Sequence, residues 1–70
     1  MKSHVQAIIF PKDKFDISKS EKWLNEHSYK PIKEVHETDN FYRYRISKPV
    51  YKNYITKKLP SGIEMVMGLI

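Results

Sequence analysis

Seventy residues, 40% of them hydrophobic, make a single domain spanning 1–70, near the lower limit at which one core holds without staples. Cysteine is absent, which excludes a disulfide framework and a thiolate metal site, and the apolar runs 7–10 and 65–70 fall far short of the ~20 residues of a membrane-crossing helix. Thirteen Lys and Arg against eight Asp and Glu leave a net charge of +5, which favours phosphate-bearing or otherwise acidic partners. Lys2 leads into alternating residues rather than an apolar run, so no secretory leader is expected, and a cytoplasmic setting is.

Residues 4–10, His-Val-Gln-Ala-Ile-Ile-Phe, place Val5, Ala7 and Ile9 on one face and His4, Gln6, Ile8 and Phe10 on the other, a strand closed by Pro11. Lys12-Asp13-Lys14 turns the chain. Asp16 is placed to cap a helix starting at Ile17, with Ser18 and Glu21 as a rival capping box. Ile17, Ser20, Leu24 and His27 then share a stripe with Trp23 beside it, opposite Lys19, Lys22, Asn25 and Glu26, so Trp23 belongs to the core. Pro31 stops this helix near Ser28 or Tyr29.

Residues 32–38 read as a second strand, Asp39-Asn40 as a tight turn, and 41–47 as the strand that follows. From Val50 to Thr56 the chain either runs along a sheet edge or forms an irregular connection. Pro60-Ser61-Gly62 is a turn, and the nearly unbroken apolar run 63–70 is a last strand, either inside the sheet or at a seam with another chain. The sum is an α+β fold, a single helix packed on one face of a small, mainly antiparallel sheet, in the order strand-helix-strand-strand-strand. One sheet face is left without a cover.

Between Asn40 and Ile63 there is no acidic residue, and Arg43, Arg45, Lys48, Lys52, Lys57 and Lys58 are interleaved there with Tyr42, Tyr44, Tyr51 and Tyr54. Strand alternation puts Phe41, Arg43 and Arg45 on one side and Tyr42, Tyr44 and Ile46 on the other. Two readings follow. In one, the arginines line the open face and hold phosphates, with Lys52, Lys57 and Lys58 as a cationic rim and Tyr44 and Tyr54 as stacking or packing groups. In the other, the tyrosines pack under the helix, the arginines are solvated and paired with Glu34 or Glu37, and the lysines protect an edge.

His4, His27 and His36 do not stand at a metal-ligand spacing, so neither a metal nor another cofactor is expected. His36 with Glu37 and Arg43 makes a crude general-base and phosphate-holding set, as a small nuclease uses. With no glycine-rich phosphate loop and no nucleophile elbow, the chain is expected not to be an enzyme.

A Val-Gln-x-Ile-Ile-Phe strand, then Trp23-Leu24-x-x-His27-x-Tyr29-Lys30, then Glu37-Thr38-x-Asn40-Phe41-Tyr42-Arg43-Tyr44-Arg45, then Gly62-Ile63-x-Met65-Val66-x-Gly68 spans nearly the whole chain. That pattern resembles a small domain of bacteriophages and large DNA viruses, marine and environmental ones included. The domain is sometimes encoded alone and sometimes attached to capsid-maturation proteins. The resemblance implies a viral origin, in a host-cell interior or a virion, and a compact α+β unit, and it carries no activity. The family's Arg-x-Arg-Gln ending reads here Arg43-Tyr44-Arg45-Ile46, so no role passes to a polar residue after the second arginine.

Binding of nucleic acid or another polyanion is therefore the expected function, through Arg43, Arg45, Tyr44, Lys52, Tyr54, Lys57 and Lys58. The alternative is an assembly module that dimerises, or docks on a viral structural protein, through the apolar C-terminal strand and the open sheet face.

Overall fold

A computed structural model of the chain describes residues 3–48 and 50–69. In chain order the elements are β1 (Ser3–Pro11), α1 (Ile17–Glu26), β2 (His36–Glu37), β3 (Phe41–Arg45), β4 (Asn53–Lys58) and β5 (Glu64–Leu69). The strands form one sheet in the order β2-β3-β1-β5-β4, and every neighbouring pair is antiparallel. The chain is an α+β fold with one helix and five strands. The undecided segment after Val50 contributes the extra strand, β4, at one edge.

The helix starts where the sequence places it. Asp16 is the N-cap, its carboxylate accepting from the Lys19 N–H at 2.7 Å, while the Ser20 hydroxyl donates to the Asp16 carbonyl. It ends at Glu26, with Ser28 in the left-handed region at φ 61°. The Tyr29 N–H reaches the Leu24 carbonyl at 2.8 Å and the Ser28 N–H the Asn25 carbonyl at 3.2 Å, a reversal that satisfies the last carbonyls and folds Tyr29 back onto the core. Ser20 and Leu24 are buried, whereas Ile17 and His27 of the same stripe are exposed.

Phe10 is the centre of the core. Its ring meets Phe15, Trp23 and Tyr44 edge to face at 5.3, 5.6 and 5.6 Å. Ile8, Leu24 and Ile63 complete the buried cluster, and Trp23 packs against it as expected.

The alternation expected for β1 breaks at one place. Val5 pairs with Met67 and Ala7 with Val66, so Gln6 is an extra residue, a bulge. A bulge inverts the phase of everything beyond it. Val5 therefore shares the helix-side face with Ile8 and Phe10, and His4 shares the opposite face with Ala7 and Ile9.

One further expectation is corrected. The strand predicted over 32–38 pairs only at His36 and Glu37, because the chain there bends to seat Val35 on the core; a single bond, from the Ile32 N–H to the Arg45 carbonyl, ties its start to β3. Of the two places expected for the apolar last strand, it takes the one inside the sheet, since β5 lies between β1 and β4 with both of its edges paired. Lys2, from which no leader is expected, Pro49 before the undecided segment, and Ile70 at the end of the expected last strand lie outside the described residues.

Candidate nucleic-acid interface on the open sheet face

The cross-strand register lays out the face away from the helix. One row reads His36, Arg43, Ile9, Glu64, Lys58, and the next reads Arg45, Ala7, Val66, Thr56. A third row places His4 beside Gly68 and Tyr54, and Pro11 pairs with Phe41 at the opposite end. The face thus has an apolar strip at its centre, arginines on one side, a lysine on the other, and aromatic rings at two diagonal corners.

The two arginines share this face, as alternation predicts. Among the described residues the ion pair is Lys12 with Glu37, and neither arginine has a carboxylate within ion-pairing distance. The pairing of Arg43 and Arg45 with Glu34 or Glu37 is therefore not formed. Glu37 stands opposite Tyr42 in the register, on the helix side, which also breaks up the set of His36, Glu37 and Arg43. A cleft of about 210 Å³ lies between Arg43, Arg45, His36, Lys33 and Glu34, so the guanidinium groups border open space.

The corner built on Tyr51 and Tyr54 depends on the bulge. The Gln6 carbonyl accepts from the N–H groups of Ile46 and Ser47 at 2.8 and 3.2 Å, and the Gln6 side-chain amide donates to the Ser47 carbonyl. Ser47 is thereby held at the end of β1, where its hydroxyl donates to the Val5 carbonyl at 3.0 Å. That hydroxyl has one proton, so at 3.2 Å it is the Tyr51 hydroxyl that donates to Ser47. The Tyr51 ring lies over Gly68, where any Cβ would fall inside the ring carbons, and stacks beside His4 at 6.0 Å. The Tyr51 N–H donates to the Tyr54 hydroxyl at 3.3 Å and the two rings meet edge to face, leaving Tyr54 41% exposed.

Comparison of this chain with family models, with curated proteins and with solved structures yields no match. The interface is read from its own geometry.

Of the predicted site residues, Arg43, Arg45, Tyr54 and Lys58 fall together on the open face. Tyr44 does not. It is 2% exposed beneath the helix, packed on Phe10, so stacking on a ligand is closed to it. Lys57 pairs with Met65, which packs against the core, and so it projects to the helix side. Lys52 is exposed just before β4. His4 and Tyr51 complete the aromatic corner; the polar Gln6 inside an apolar strand is the only trace in the sequence of the bulge that brings them there.

Burial of the Tyr44 hydroxyl, helped by the carboxylate of Glu21 and by Tyr42, pushes its pKa from 10.0 up to about 12, and the hydroxyl has no hydrogen-bond partner among the described residues. The folded chain then holds this proton where the unfolded chain has lost it. The stability it contributes is whole below pH 10 and is lost as pH rises toward 12. Tyr44→Phe is expected to match the parent within about 1 kcal/mol at pH 7. Relative to that variant, the parent is expected to lose roughly 2–3 kcal/mol between pH 10 and 12 in urea unfolding. Parallel profiles for the two proteins would refute the assignment.

Proposed function

We propose that the domain binds nucleic acid or a related polyanion on the open sheet face, with Arg43 and Arg45 as the phosphate-holding residues and Lys58 as a third cation across the sheet. The observation that carries this reading is the absence, among the described residues, of any carboxylate paired with either arginine, although Glu34 borders the same cleft. An opposite charge directly across the sheet is worth about 0.2–1 kcal/mol, and among the described residues neither arginine has taken one up. Here the nearest strand offers His36 opposite Arg43 instead, and the acid beside it is engaged by Lys12. The net charge of +5 adds long-range attraction. A phage or viral setting, which the sequence resemblance suggests, would supply such a polyanion.

Contacts of this kind read backbone rather than base, so affinity is modest, tolerant of sequence and steep in salt. Arg43→Ala with Arg45→Ala is expected to weaken binding of a labelled oligonucleotide by about 10–100-fold at low salt, measured by fluorescence anisotropy, from two lost charge-assisted contacts. The melting temperature should stay close to the parent's, because both side chains are partly solvated. Unchanged affinity in a folded double variant would end this assignment.

A further inference from the structure

The composition of the open face goes beyond charge. Its cations stand at the sides, and its middle is made of the partly exposed Ile9 and Val66, with Ala7 buried between them and Glu64 beside them. A duplex presents phosphates on its outside, and phosphates laid on this middle would meet apolar side chains and one carboxylate. Bases laid there would instead bury apolar surface, with their phosphates displaced toward Arg43 and Arg45. Tyr54, exposed and braced by Tyr51, offers an aromatic surface at one end of the diagonal, and exposed Phe41 offers another at the opposite corner. Across three strand spacings and about six residues of rise these corners lie roughly 25 Å apart, which matches a site of about four nucleotides.

We infer that the ligand of this face is a single-stranded nucleic acid, its bases packed over the Ile9–Val66 strip and against Tyr54 while its backbone runs along Arg43 and Arg45. This rests on the polyanion reading above and specifies it.

The test uses the full chain and measures anisotropy with labelled dT12, a hairpin duplex of equal charge, U12, and inorganic polyphosphate as competitor. Expected are dT12 and U12 each binding at least tenfold tighter than the duplex, with polyphosphate a weak competitor. Tyr54→Ala should weaken dT12 binding by about tenfold, the scale of one lost base stack, and leave duplex and polyphosphate binding unchanged. Tyr54→Phe, which keeps the ring, should retain dT12 binding. Tyr54 is on an exposed edge strand, and a melting curve checks that each variant is folded.

Duplex or polyphosphate binding as tight as dT12, or a silent Tyr54→Ala, with binding still lost in the arginine double variant, overturns the single-strand inference and leaves a general polyanion surface. Arginine substitutions without effect on any ligand overturn the polyanion reading, and the inference with it.

Discussion

Phe10→Ala is expected to leave the domain largely unfolded at 37 °C. Phe10 is fully buried and is the one ring that touches Phe15, Trp23 and Tyr44 together, so it joins the helix, the turn before it and two strands. Truncating a buried Phe costs about 3–5 kcal/mol, the sum of lost transfer energy and the cavity left behind. The single core of an unstapled 70-residue chain rarely supplies more than about 3–5 kcal/mol, so the loss is as large as the stability available. No disulfide is present to offset the loss. Circular dichroism melting is the direct measurement: a cooperative transition within a few degrees of the parent's would show that the core is not centred on Phe10. Phe10→Leu, closer in volume, should remain folded with a lowered midpoint.

Gly68→Ala is expected to lower the midpoint by roughly 5–20 °C and to take apart the aromatic corner. A Cβ on Gly68 points into the Tyr51 ring, and β5 cannot retreat because it is bonded on both sides, to β1 and β4. Tyr51 must leave, losing its bond to Ser47 and its contact with His4, or the sheet must bend. Overpacking of this sort costs about 1–3 kcal/mol, and in a domain of this size each kcal/mol moves the midpoint by about 4–8 °C. The decisive comparison is the double variant Gly68→Ala/Tyr51→Ala. With the ring gone the added methyl has room, so Gly68→Ala should cost little in that background. Equal costs in both backgrounds would show that the two residues do not meet. Since Tyr51 braces Tyr54, the single variant should also weaken single-strand binding, without the loss of charge that the arginine variants bring.

The bulge at Gln6 shows why this corner is hard to foresee. Period-two reading of residues 4–10 puts Val5 with Ala7 and Ile9, a sound inference for an unbroken strand. One inserted residue reverses it, and the insertion is specified by long-range partners: the Gln6 carbonyl serves Ile46 and Ser47, some 40 residues away. Nothing local to β1 encodes that. The arginine strand is the opposite case. Phe41–Arg45 has no bulge, so alternation alone assigns Arg43 and Arg45 to one face and Tyr42 and Tyr44 to the other, and the structure agrees.

The lysines divide by the same rule once β4 is known to be a strand. Lys57 and Lys58 are adjacent in sequence and therefore on opposite faces, so a single rim drawn through both cannot exist. Composition could not reveal this, because whether 53–58 is strand or loop depends on whether β5 has a free edge to offer it.

Legible in the residue order alone are the α+β class, the helix from Ile17 with Asp16 or Ser18 to cap it, the turns at 39–40 and 60–62, and the separation of Arg43 and Arg45 from their neighbouring tyrosines. These are properties of short spans, set by backbone preference, capping and strand period. The strand order, the interior place of β5, the engagement of Glu37 by Lys12, and the meeting of His4, Tyr51 and Tyr54 over Gly68 belong to the folded chain alone. Each of those depends on which distant edges and faces compete successfully for one another, and that competition is resolved by packing around Phe10 and by hydrogen bonds between segments far apart in the chain.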